Sequence, residues 1–172
     1  VAAMTDASGV ELEQFKNWYT QAGTPVLEVS DSYDADSLEY HLNFKQHTPD
    51  TPGQSNKLPL HIPVAIGLVG EDGSDLDIDQ SLLHVTERQQ HFVFKNIAQR
   101  PTPSLLRGFS APVKLQFPYT HEQLLFLAAN DSDSFNRWEA VQNLALDLLH
   151  ALIVDSQSGR ELHLDAAFIH AC

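Results

Sequence analysis

The amino-acid sequence predicts a mainly β fold with α flanks: an antiparallel β-sandwich of about seven strands, preceded by one helix and followed by the first helices of an α-helical domain. Three observations carry this reading. Apolar residues recur at helical spacing near the start and stop at Gly23. From Val26 to Phe117 the period is two, with turn-forming residues between short runs. After Pro118 helical spacing returns and is sustained.

In chain order, Leu12, Phe15, Trp18 and Tyr19 fall three and four apart between Val10 and Ala22, which predicts an amphipathic helix with its apolar side turned inward. Gly23 and then Pro25 end it. Val26 to Ser30 alternates, as do Leu38, Tyr40, Leu42 and Phe44 against Glu39, His41, Asn43 and Lys45. The turn formers of Ser30 to Asp36 between them predict an antiparallel hairpin. Thr48 to Pro59, with its prolines and a glycine, reads as an exposed loop. Ile62 to Val69 is almost wholly apolar, a strand buried on both faces, and Pro63 places its first residues at a sheet edge or bulge.

Leu82, Leu83 and Val85, then Phe92, Val93, Phe94 and Ile97, flank the polar stretch Thr86 to Gln90 and suggest a second hairpin. Leu105 to Phe109 and Val113 to Phe117 read as two more strands. Beyond Pro118, His121 to Ala129 is a short helix with Thr120 as N-cap and Glu122 complementing the dipole. Asp133 or Ser134 then caps a long helix carrying Phe135, Trp138, Val141, Leu144, Leu148 and Leu152, which ends at Ser156 to Gly159. Leu164 to Cys172 reads as the opening of a further helix. The long helix is expected to lean on the sandwich or on another copy of the chain, so self-association through exposed helix faces is expected.

Composition narrows the function. The chain has 172 residues, 42% of them hydrophobic and 19% charged, which excludes disorder and low-complexity classes. Ten Lys and Arg against 23 Asp and Glu leave a formal charge of -13, a field that repels phosphate backbones and anionic lipid. Neither nucleic acid nor membrane is an expected partner. The lone cysteine is Cys172, so no intrachain disulfide and no cysteine-based zinc site can form. A cytoplasmic, reducing location is the expectation. The chain starts with Val, and it reads as a piece of a longer polypeptide.

Each motif that invites chemistry falls short. His121-Glu122 opens like H-E-x-x-H, but position 125 is Leu and the second zinc ligand is missing. Gly108-Phe109-Ser110-Ala111-Pro112 begins like a G-x-S-x-G elbow and ends in Pro, without a strand-turn-helix context. Asp72, Asp75, Asp77 and Asp79 lack the glycine order and the closing glutamate of a calcium loop, and read as a solvated hairpin tip. His61, His84 and His91 could converge in a sandwich, although strand histidines are more often exposed or hydrogen-bonded. Asn130-Asp131-Ser132 matches a glycosylation acceptor by composition only. The aromatics Trp18-Tyr19 and Phe135 with Trp138 read as packing anchors. No catalytic, cofactor-binding or metal-binding residue is assigned.

The run Phe15 to Pro25 resembles the junction that leaves the catalytic domain in the bacterial aminopeptidase N family, zinc-dependent alanyl aminopeptidases of the gluzincin type. The resemblance continues through Pro59-Leu60-His61-Ile62-Pro63, Phe92-Val93-Phe94, Phe109 to Leu115, Asn130-Asp131 and Phe135-Asn136-Arg137-Trp138-Glu139-Ala140. It implies that residues 1–23 are the helical end of the catalytic domain, residues 24–118 an immunoglobulin-like β-sandwich, and residues 119–172 the start of a C-terminal α-helical domain. The family's H-E-x-x-H and G-x-M-E-N motifs do not stand in this sequence, so no catalytic residue carries over and zinc is expected in the parent alone. What the resemblance implies is a non-catalytic, domain-linking fragment whose partners are the other domains of the parent. The alternative is an autonomous immunoglobulin-like module that binds a ligand or protein, because a fold alone decides no function.

Overall fold

A computed structural model describes residues 5–7, 9 and 13–162. Among them, seven strands form two sheets. The first has the order β5-β2-β1-β7, from β1 (Val26–Asp34), β2 (Glu39–His47), β5 (Gln89–Phe94) and β7 (Lys114–Gln116). The second has the order β4-β3-β6, from β3 (Ile62–Val69), β4 (Leu82–Val85) and β6 (Thr102–Leu105). Alternation does the sorting: Leu27, Val29, Tyr40, Leu42 and Phe44 face inward from one sheet and Val64, Ile66, Leu68, Leu83 and Val85 from the other, closing one core.

The predicted β1–β2 hairpin is present in full register, from Val26 opposite His47 to Asp34 opposite Glu39. Pro63 also sits as expected. The first half of β3 pairs with β4 and the second half with β6, so Pro63 lies where the strand is locally an edge and no ladder donor is missed.

Four expectations are corrected. Leu82–Val85 and Gln89–Phe94 do not form a hairpin, because β4 pairs with β3 and β5 with β2, and the chain crosses between sheets at residues 86–88. The crossing is held by Gln90, whose Oε1 accepts from Thr86 N at 2.8 Å, and by the buried Gln46. Gln46 Nε2 donates to Leu60 O at 2.8 Å, and its Oε1 accepts from Leu60 N at 2.8 Å. Second, the strand expected over Leu105 to Phe109 is instead β6, ending at Leu105 and followed by a 3-10 turn, Arg107–Phe109. The cause is Leu106, which takes φ +57° to bury its side chain and so turns the backbone out of the sheet. Third, β7 runs parallel to β1, Val26 opposite Lys114, because the chain reaches it from the other sheet and enters alongside β1. Fourth, the first helix is broken: a 3-10 turn Gln14–Lys16 leads into α1 (Asn17–Thr20), and Tyr19 is 76% exposed although Trp18 packs on the core. Val10 and Leu12 lie outside the described residues.

Among the described residues, two helices follow the sandwich. In α2 (His121–Asn130) Thr120 and Gln123 cap each other reciprocally, Gln123 N reaching Thr120 Oγ1 at 3.2 Å and Thr120 N reaching Gln123 Oε1 at 2.9 Å. In α3 (Ser134–Gln157) the cap is Asp133, which accepts from Asn136 N at 2.9 Å. The helices meet over Leu124, Leu127, Ala140 and Leu144, and Val69, the last residue of β3, joins that second core. The long helix leans on the sandwich, with the Phe109 and Phe135 rings 5.6 Å apart. Residues 164–172, read from sequence as a further helix, lie outside the described residues.

Candidate functional site

Side-chain hydrogen bonds over long sequence separations concentrate at the two ends of β3. At its start, the N-terminal segment is fixed to the loop before the strand. That loop carries prolines and runs without a ladder, so its carbonyls need partners from elsewhere. Gln14 Nε2 donates to Thr86 O at 2.6 Å and to Pro59 O at 3.1 Å, and Asn17 Nδ2 to Pro59 O at 3.1 Å. Trp18 Nε1 donates to His61 O at 2.9 Å. Lys57, buried, sends its ammonium to Ala22 O at 2.5 Å, Pro49 O at 2.6 Å and Thr51 Oγ1 at 3.0 Å. A cation with three oxygen partners replaces the water it gives up.

At the far end of β3 stands a charged joint around Arg107. Its Nη1 and Nη2 grip Asp75 at 2.9 and 2.7 Å in a bidentate pair, Nη2 also donates to Asp131 Oδ1 at 2.9 Å, and Nε donates to Ser104 Oγ at 2.9 Å. The guanidinium lies flat against Gly67, where a Cβ would come within 2.0 Å of Cζ. The Asp131 side chain is fully buried, and its Oδ2 has no hydrogen-bond partner. Ser132 Oγ donates to Asp75 at 2.5 Å, and Asn136 Nδ2 donates to Ser104 Oγ at 2.7 Å and Leu105 O at 2.9 Å. Strand β6, the turn after it, the β3–β4 loop and the α2–α3 corner thus converge on one cation.

The electrostatics follow from the contacts. The hydrogen bonds from Arg107 hold the Asp75 carboxyl below its ordinary value of 3.8, against the opposing effect of burial. Burial works against the charge of Arg107, yet Asp75 and Asp131 overcome it and hold the guanidinium above its usual value. Burial and then the Asp131 charge push the Tyr119 phenol up, so it stays neutral and donates to Pro103 O at 2.8 Å.

Most sequence-level candidates take structural roles. His121 and Glu122 occupy the first turn of α2, and Leu125 stands where a second histidine would complete a zinc pair. Among the described residues no group of three or more His, Cys, Asp or Glu side chains could hold a metal ion; this donor set does not fit zinc. Ser110 Oγ accepts from Ala65 N at 2.9 Å, satisfying β3 where that strand has no neighbour on that side. Of the acidic run, Asp75 belongs to the joint rather than to a solvated tip. His61 and His84 do converge, Nε2 to Nδ1 at 2.8 Å, but His91 pairs instead with His41 at 3.0 Å on the other sheet. Asp131 and Ser132, read as part of a glycosylation acceptor, are committed to Arg107 and Asp75. Sequence reading missed Arg107, Lys57 and Gln46. Their one signal is weak: long polar side chains in otherwise apolar or loop context.

Comparison with known proteins places this architecture. Residues 23–118 match a family described as "Domain of unknown function (DUF3458) Ig-like fold". The chain belongs to this family. Residues 121–172 match a second family, "Domain of unknown function (DUF3458_C) ARM repeats". The chain is 41% identical over 170 residues to aminopeptidase N of Escherichia coli (strain K12), covering 95% of this chain and 20% of that protein. To aminopeptidase N of Haemophilus influenzae it is 40% identical over 177 residues, covering 99% of this chain and 20% of the relative. A crystal structure of Legionella pneumophila aminopeptidase A in complex with aspartic acid superposes with a TM-score of 0.79 at 34% identity, over 99% of this chain and 19% of that one. The resemblance to aminopeptidase N therefore extends over nearly the whole chain, which spans about a fifth of the length of the relatives it matches.

Proposed function

We propose that the chain is the non-catalytic, domain-linking part of a zinc metalloaminopeptidase that removes N-terminal amino acids from peptides. In this reading residues 1–23 end the catalytic domain, 24–118 form the sandwich and 119–172 begin the α-helical domain. Zinc belongs to the parent, and the other domains of that cytoplasmic parent are the partners. The observation that supports it is β3 as a strut. Its eight residues span about 26 Å at the rise of a strand, with the N-terminal segment hydrogen-bonded at one end and the helices ion-paired at the other. Such an element sets a fixed distance between the segment before the sandwich and the helices after it. The work is mechanical, and no bond-breaking group is needed for it.

The test is hydrolysis of an alanine anilide by the chelator-washed chain with and without added zinc, together with its metal content. No turnover above background is expected in either condition. Stoichiometric tightly held metal with turnover overturns the reading.

A further inference from the structure

We propose that the groove between α3 and the segment joining β7 to α2 binds an amphipathic cation, an ammonium or guanidinium carried on an apolar stem. The site does not depend on the peptidase reading. The cavity measures about 300 Å³, and Leu115, Phe117 and Leu127 supply apolar floor. Its α3 wall is a single stripe, Asn136, Glu139, Asn143 and Asp147, spaced three and four apart.

The polar groups this stripe offers the cavity are mostly acceptors. Asn136 is only 9% exposed, and its amide nitrogen is committed to Ser104 Oγ and Leu105 O. That leaves Oδ1, which takes no hydrogen bond from any described residue. Asn143 Nδ2 donates one of its two N–H groups to Glu139 O at 3.0 Å. The Glu139 and Asp147 carboxylates pair with no cation among the described residues. The Tyr119 hydroxyl, also on the wall, gives its proton to Pro103 O.

Acceptors above an apolar floor select the ligand by elimination. An anion is repelled by both carboxylates and by the net charge of -13. A neutral apolar molecule covers the floor but gains nothing from the Asn136 oxygen or from the exposed carboxylates. A metal ion is not matched, because among the described residues no three His, Cys, Asp or Glu side chains come together to hold one. A cation on a hydrocarbon stem satisfies both parts of the site. Such a group can arrive as a free amine or as the side chain of a lysine or arginine in a polypeptide.

The experiment is a two-dimensional NMR titration of the full 172-residue chain, following the side-chain amides of Asn136 and Asn143. The probes are 2-phenylethylamine for the free source, blocked arginine amide for the polypeptide source, and neutral 2-phenylethanol. Saturable shifts from either cation, weakened about tenfold by Glu139→Gln with Asp147→Asn, support the site, and the tighter probe identifies the source. Equal binding of the neutral alcohol, no saturable shift with either cation, or unchanged affinity in the doubly substituted chain overturns it. Both substituted positions are exposed, and a native circular dichroism spectrum confirms that the variant folds.

Discussion

Arg107 faces two carboxylates of unequal exposure, and that inequality decides what its removal does. Asp75 is 37% exposed and can turn to water, whereas the Asp131 side chain has no exposed surface. Arg107→Met therefore strands a buried charge and is expected to cost about 3 kcal/mol or more in urea unfolding. Adding Asp131→Asn should recover part of that loss. Gly67→Ala is expected to act on the same joint, because its methyl occupies the space of the guanidinium. The two changes together should cost little more than either alone, and strict additivity would show that the ring of contacts does not act as a unit. The joint also has an acid limit. The Asp75 carboxyl titrates below 3.8 in the folded chain, so its contribution is present above that pH and is lost as the pH falls through the depressed value.

Strand β3 and its neighbour β4 carry a second titration, at a milder pH. His61 and His84 share one proton across 2.8 Å, an arrangement that requires at least one neutral ring. Burial, and then the proximity of His84, hold His61 below its ordinary value of 6.5. Its folded state therefore binds fewer protons than the unfolded chain, so stability is intact above about pH 6.5 and declines as the pH falls below it. Melting curves from pH 8 to 5 should show that decline, and His84→Gln should reduce it; an unchanged slope in the variant would separate the pair from the effect. The same strands show what alternation can and cannot convey. The β1–β2 hairpin was readable because its two apolar faces share one sheet and its turn is local. The step from β4 to β5 was not, because a short polar link looks alike whether the chain turns back or crosses over. The crossing rests on Gln46, which contacts that link from some forty residues earlier. Leu106 hid the end of β6 for a similar reason: an apolar residue at positive φ keeps the composition of a strand without its geometry. Among the stretches that resemble aminopeptidase N, Asn17, Trp18, Asp131 and Asn136 are joint residues, so that resemblance marked contacts that periodicity could not.

Among the described residues, α3 leaves an apolar surface open to solvent. Trp138, Leu146, Leu149 and Ile153 are each about half exposed along α3, and Phe109 at 54% extends the surface past Phe135 onto the sandwich. Full burial of such side chains is worth about 1.5–3 kcal/mol each, so covering the five exposed halves on both copies in a self-complementary contact gains about 8–15 kcal/mol. Loss of rotational and translational freedom consumes much of that, and two bodies of charge -13 repel each other. We infer that self-association through this surface is weak and governed by salt. Raising the ionic strength shortens the reach of the repulsion while leaving the apolar gain in place, so association should strengthen with added salt. Static light scattering is expected to show a mass that rises with concentration, more steeply at 0.5 M than at 0.05 M sodium chloride, values chosen to span Debye lengths of about 4 to 14 Å. Leu149→Lys with Ile153→Lys should return the chain to a monomer without lowering its melting temperature, since neither side chain is buried. A constant monomer mass at both salt concentrations removes the contact, and association that weakens with salt assigns it to charge pairing instead.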